Sequence, residues 1–407
     1  MPSPTAAGVM ARHMEQRKKA MPHDSSQGND HDRHSDRPAQ RSLARRVFVF
    51  ILFAVILAFL FILALFFAIG FFAGPPLAQA ASAPAPAQAP ANREQTMILT
   101  DHPLSDSLWN TKTTQGASLQ ELVDAIAGAR YLLLGEKHDN PRHHVLQARM
   151  IEQAAERIAQ NGRKGHVVLE MLEPHHQPAL DAINQRVDEI PASGAEAYKS
   201  AETITATMGQ ALEWETRGWP DWALYQPIFT TALAHHMPLY AGNPERDDLL
   251  AAGRKGILSD DLQKDLGWDL DYDASQRDSL TEELVAAHCG MMGPGSVGPL
   301  MTMQRLKDAH MARAMRQAGA ADDLSVLIAG NGHTRKDRGV PMFLNTGQRV
   351  VSIAFMEVTR DANDPTAYPG FDPALYDFVW FTPRVDEIDP CEKFREQLKA
   401  MQHGQAS

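Results

Sequence analysis

The stretch VFVFILFAVILAFLFILALFFAIGFFA, Val47 to Ala73, runs for 27 residues without a charge, and no other feature limits so strongly where this chain can fold. At about 1.5 Å per residue, a helix of that length exceeds the roughly 30 Å hydrocarbon core of a bilayer, so it spans with some tilt. Arg41, Arg45 and Arg46 stand just before it, and the next charge is Arg93. The positive-inside bias then keeps the first 46 residues in the cytoplasm and sends residue 74 onward across the membrane. Behind the run, Ala78-Gln79-Ala80 is a small-residue pattern of the signal-peptidase type. Residues 47–73 are therefore expected to be a transmembrane helix or a signal segment. Either way the body is exported, anchored in the inner membrane with a periplasmic domain or secreted to the periplasm after cleavage near Ala80. No cysteine stands near that pattern, so a bacterial lipoprotein anchor lacks its acceptor.

The remaining segments differ in composition. Residues 1–46 hold nine Lys/Arg against five Asp/Glu and few apolar side chains, which predicts a disordered cytoplasmic tail. Residues 74–96 alternate Ala, Pro and Gln and predict a semi-rigid linker. The globular body is expected over 97–407, long enough to bury a sizeable core. Because the tail is basic and the whole chain carries a formal charge of −11, the body is strongly acidic. That excludes sequence-independent nucleic-acid binding, which needs Lys and Arg gathered on one face. Cys289 and Cys391, the chain's two cysteines, could pair in an oxidising compartment, but their spacing in the sequence gives no distance.

Within the body, apolar runs of strand length alternate with helix-patterned stretches. YLLL (131–134), VVL (167–169), PLY (238–240), LSVLIA (324–329) and VVSIAF (350–355) read as strands. Helical periodicity covers 145–159, 224–235 and 301–316. The alternation predicts an α/β fold, a mostly parallel sheet flanked by helices with right-handed crossovers. The segments 190–227, with Trp214, Trp219, Trp222 and Tyr225, and 259–320 break the rhythm. They are expected to form a helical subdomain over one edge of the sheet, with the tryptophans as packing.

Chemistry gathers where strands end. The first strand runs into Gly135-Glu136-Lys137-His138, followed by Asp139 or Asn140 as helix cap and Pro141 in the first turn. The second delivers Glu170, and the fourth delivers Gly330-Asn331-Gly332-His333. In open parallel sheets ligands bind at the carboxyl edge, so Glu136, His138, Glu170 and His333 are expected to converge there. Such a set suits a divalent metal ion, with Glu136, His138 and His333 as ligands, or general acid/base work by Glu136 and Glu170. In each histidine doublet, such as His143-His144, one member is expected to be exposed. The zinc-protease H-E-x-x-H, haem-attachment C-x-x-C-H, nucleophile-elbow G-x-S-x-G and Walker phosphate-loop motifs are all missing.

Six ordered segments make the chain recognisable: LLLGEKHDNPRHH (132–144), VVLEML (167–172), GWPDWALYQPIF (218–229), YAGNPERD (240–247), QRLKDAHMARAM (304–315) and GNGHTRKDRGVPMFL (330–344). Together they resemble the ChaN-like family of the Haem-binding uptake, Tiki superfamily, over roughly 125–355. The resemblance implies an extracytoplasmic haem-binding protein of iron uptake. Its cofactor-binding candidates are His138, His143, Tyr240, Asn243, His310 and His333. The wider superfamily includes metal-dependent proteases and esterases, which implies as alternative a metal-dependent hydrolase using Glu136, His138, Glu170 and His333. A homodimer and an uptake-system partner stay open at this point. Many members resemble lipoproteins, whereas this chain lacks the lipid-bearing cysteine.

Overall fold

A computed structural model describes residues 96–395 apart from 257, 259, 345, 346 and 394. The expected tail, membrane or signal segment and linker lie outside those residues, except for the linker's last residue, Thr96. Among the described residues, no helix is long and apolar enough to cross a membrane.

The strands are β1 (Leu108–Asn110), β2 (Gln115–Gly116), β3 (Tyr131–Glu136), β4 (Gly165–Leu169), β5 (Leu239–Ala241), β6 (Leu324–Gly330), β7 (Val350–Glu357) and β8 (Phe378–Thr382). They form one sheet in the order β2-β1-β8-β7-β3-β6-β4-β5. The six strands from β5 to β8 pair in parallel, and β1 joins β8 and β2 antiparallel, so the sheet is mixed with a parallel centre. The sheet is thus mostly parallel, as expected, and the antiparallel edge of β1 and β2 is the part not foreseen. FVWFT at 378–382 lies beyond the stretch read for strands, and the short β1 and β2 have too few residues to show alternation.

The helices are α1 (Leu119–Ala127), α2 (Pro141–Ala159), α3 (Gln177–Asn184), α4 (Ala195–Thr205), α5 (Met208–Ala211), α6 (Trp222–Ala234), α7 (Arg246–Lys255), α8 (Asp260–Leu266), α9 (Ala274–Ala287), α10 (Gly298–Gln317) and α11 (Asn331–Thr334). Strand side chains alternate between the two faces of the sheet, as the period of two demands. Leu132 and Leu134 join α1, α2 and α4 to α6 on one face. Tyr131 and Leu133 join α7, α8 and α10 on the other. The segments expected as a helical subdomain contribute to both layers, and α9 packs with the start of α10 in a small core of its own, Tyr272, Leu280, Leu284 and Val297. The aromatic segment is core: Trp214 is buried with Trp222 at 5.1 Å, Tyr225 at 4.9 Å and Phe229 at 6.2 Å between ring centroids.

β5 is an edge strand whose outer ladder groups meet side chains of α3. Gln177 Oε1 accepts from the Ala241 N–H at 2.9 Å, and Asn184 bonds both the N–H and the carbonyl of Leu239 at 2.9 Å. Cys289 and Cys391 form a disulfide across 102 residues of sequence.

Candidate functional site

β3, β6 and β4 are neighbours in the middle of the sheet, and the chain leaves β3 and β6 towards opposite sides. Their carboxyl ends align, Glu136 standing opposite Gly330 and Leu169 opposite Ile328. The rim is therefore a topological switch point. Gly135 lies inside β3. The glycine is needed for space: a Cβ there would run into Asn331 and come within 2.7 Å of Thr334 Oγ1. Gly135→Ala is expected to destabilise the fold by about 1–3 kcal/mol through overpacking, measured by denaturant unfolding; an unchanged midpoint would refute this close fit. Asn140 caps α2, its Oδ1 accepting from the Arg142 N–H at 2.9 Å, with Pro141 in the first turn.

One row of contacts runs along the rim. Glu136 Oε1 accepts from Tyr225 Oη at 2.7 Å and meets His138 Nδ1 at 2.6 Å, while His144 Nδ1 stands 3.2 Å from Oε2. His144 Nε2 donates to the His138 carbonyl at 2.9 Å. The Gln147 amide is fixed by donation to Leu134 O, so its oxygen faces His144 Nδ1 at 3.1 Å. Only acceptors surround that ring, and His144 is therefore an imidazolium. Burial opposes its charge, but Glu136 outweighs burial and raises its pKa. Burial alone would raise the Glu136 carboxyl; His144 and His138 hold it well below the usual carboxylate range.

Further along, His138 Nε2 lies 4.0 Å from Glu170 Oε2. Glu170 accepts from the Gly330 N–H at 2.9 Å, and its Oε1 meets His333 Nε2 at 3.2 Å and Lys307 Nζ at 3.3 Å. His333 Nδ1 meets Asp308 Oδ1 at 2.6 Å. With a carboxylate at each nitrogen, His333 is also an imidazolium. Burial lowers its pKa, yet Glu170 and Asp308 more than offset that and push it up to about 10. Burial raises Glu170 too, but His333 and Lys307 hold it well below the ordinary value. Burial raises the Asp308 carboxyl in spite of the His333 ring beside it. His138 is the exposed ring of the row, its side chain 37% accessible and edge-on to Trp219 at 5.1 Å.

Glu136, His138, Glu170 and His333 thus meet on one rim. Glu136, His138 and His333 are not among the described groups that bring three donor atoms within 4.8 Å of one another. The described group that brings three donor atoms within 4.8 Å of one another is Glu173, His175 and Glu245, all at least partly exposed. His143 is buried beside His144, which corrects the expectation of one exposed member per doublet. The Lys137 N–H donates to His143 Nδ1 at 2.9 Å and Nε2 bonds Thr382 Oγ1 at 2.9 Å, so both nitrogens are engaged. Burial and the His144 charge hold its pKa at about 3. Asn243 is buried after β5, its Oδ1 without a hydrogen-bond partner among the described residues.

Tyr240 and His310 lie away from this row, lining a cavity of about 300 Å³ beside β5 with Pro174, Ala241 and Arg313. His310 Nδ1 donates to the Gly242 carbonyl at 3.3 Å, and burial lowers its pKa. The neutral ring keeps a lone pair on Nε2. Sequence reasoning missed Tyr225, His144, Lys307 and Asp308 as members of the row. All four fall inside recognised segments, and a carboxylate two residues before His310 on a helix was the available signal.

The family model described as Haem-binding uptake, Tiki superfamily, ChaN matches residues 122–344. The chain belongs to this family. It is also similar to a solved structure described as cofacial haem binding to ChaN of Campylobacter jejuni. Identity is 19% and the TM-score 0.52, over 67% of this chain and 95% of that one. That likeness extends to the fold. A structure of the type III effector HopBA1 matches at 13% identity and TM-score 0.31, over 65% of this chain and 92% of that one. No curated protein sequence matches the chain.

Proposed function

We propose that this member of the ChaN family binds haem in the groove beside β5, on an exported body serving iron uptake. Haem, when bound, supplies an iron that takes a neutral imidazole or a phenolate as axial ligand. The observation that carries the reading is the groove itself. Two cavities, of about 300 and about 500 Å³, share Tyr240 on their walls, within the size range of small-molecule sites. His310 on its wall has one ring nitrogen bonded to the Gly242 carbonyl and a pKa lowered by burial. The family match supports the ligand class. The Cys289–Cys391 bond supports export, because disulfides persist in oxidising compartments. The apolar run Val47 to Ala73 supports the same placement.

The test is a haemin titration of the full-length protein followed by absorbance. Saturable binding with a shifted Soret band is expected, weakened at least about tenfold by Tyr240→Ala at the ring common to both cavities. Absence of saturable binding would overturn the reading. A metal-dependent hydrolase is the second reading, favoured by the placement of His138 between Glu136 and Glu170 at the rim. Among the described residues the three donor atoms closest together lie elsewhere, at Glu173, His175 and Glu245, so the rim would have to rearrange to hold an ion.

A further inference from the structure

The corner of the rim where β4 and β5 end gathers a second set of polar side chains. The two strands pair in parallel with Leu169 opposite Ala241, and a glutamate follows each partner by four residues, Glu173 after β4 and Glu245 after β5. The pairing continues past the strands, the Gly242 N–H donating to Leu169 O and the Asn243 N–H to Leu172 O, both at 2.9 Å. The two glutamates are thereby brought face to face on a fixed base, and His175 stands between them. Its Nδ1 lies 2.8 Å from Glu245 Oε2 and 3.6 Å from Glu173 Oε2. The three donor atoms all lie within 4.8 Å of one another.

Each donor is aimed by a contact of its own. The His175 N–H donates to Glu245 Oε1 at 2.8 Å, and Arg217 Nη2 donates to Glu173 Oε1 at 3.3 Å. One oxygen of each carboxylate is thus held while the other faces the imidazole. The His176 ring packs on the His175 ring at 3.8 Å between centroids, which limits its rotation. Glu245 is the N-cap residue of α7, yet its side chain caps no helix N–H and is given to His175 instead. As exposed ion pairs these contacts would gain little. Donors oriented by outer contacts are what a metal site requires. The set is also within reach of solvent, His175 being half-exposed and both glutamates partly so. With the imidazole neutral, the two carboxylates and Arg217 leave one net negative charge to meet a cation.

We infer that Glu173, His175 and Glu245 bind a first-row divalent ion of the zinc class. The site goes beyond the haem reading and does not depend on it. Ligands about 2.1 Å from a tetrahedral ion stand about 3.4 Å apart. The 3.6 Å separation of His175 from Glu173 already meets that distance. The 2.8 Å hydrogen bond to Glu245 opens by about half an ångström as the ion takes the place of the proton between the two atoms, and the ring then carries its proton on Nε2. The imidazole favours such an ion over calcium or magnesium, which take oxygen ligands. Three protein donors leave a further position to water.

The full-length protein, freed of metal by a chelator, and its His175→Gln and Glu245→Gln variants are to be titrated with zinc chloride by calorimetry. The unaltered protein should bind zinc saturably, and each variant should lose at least about tenfold in affinity. Histidines elsewhere in the chain are common to the three proteins, so the difference between them reports this site. X-ray absorption of the bound zinc should show one imidazole among oxygen ligands in the unaltered protein. Without zinc the three unfolding midpoints should coincide, because the substituted side chains are on the surface, and zinc should raise that of the unaltered protein most. Equal zinc affinity in the three proteins, or no saturable binding by the unaltered one, would overturn the inference. Loss in His175→Gln with Glu245→Gln unchanged would overturn it too, by reducing the set to a lone histidine. None of these outcomes bears on the haemin titration, which tests the haem reading by itself.

Discussion

Glu170→Ala is expected to lower the unfolding free energy by about 3–5 kcal/mol, since it leaves the buried His333 imidazolium and Lys307 without their shared carboxylate. The same row sets a pH dependence. His333 rises from an ordinary 6.5 to about 10 on folding, so its contribution is complete below about 6.5 and is lost as pH climbs through 10. Glu170 is depressed from 4.5, so its contribution is present above about 4.5 and is lost as pH falls through its lower folded value. The row therefore stabilises most between those two limits. Between pH 7 and 10 the unfolding free energy of the unaltered protein should fall by a few kcal/mol, and His333→Gln should flatten that slope. Urea unfolding at a series of pH values measures both. A wild-type slope retained in His333→Gln would show that the imidazole is not charged in the fold.

Trp214→Ala should cost about as much, roughly 3–5 kcal/mol, for a different reason. The indole is fully buried against Trp222, Tyr225 and Phe229, and its removal leaves a cavity that the surrounding rings cannot close. Because Tyr225 carries the hydroxyl that holds Glu136, the loss should also reach the rim. Denaturation midpoints and the near-ultraviolet circular dichroism of the aromatic cluster test this. A loss below about 1 kcal/mol would mean that the cluster repacks freely.

The parallel centre of the sheet could be read from the sequence because its strands are buried on both faces and so are continuously apolar, as in Leu132–Leu134 and Val326–Ile328. Each of those strands also ends on a glycine or a carboxylate, which marked the rim. β1 and β2 stayed hidden because two or three residues carry no period. The placement of the helices was misread because their pattern gives a buried stripe and not the face of the sheet it meets. At the site, Glu136, His138, Glu170 and His333 were visible as strand-end residues, but the charges of the imidazoles were not. Those depend on Asp308, Gln147 and Tyr225, which reach the rim from α10, α2 and α6 and are joined to it only by folding.

β5 forms one outer boundary of the sheet, the place where a stranger's backbone would most readily attach. Gln177 and Asn184 occupy its ladder positions with side-chain amides, so the boundary offers no template for strand-by-strand growth. Whatever meets this flank must be chosen by the shape and chemistry of side chains, which makes a small rigid guest far easier to admit than another polypeptide. The two amides thereby close this edge to the addition of a further strand.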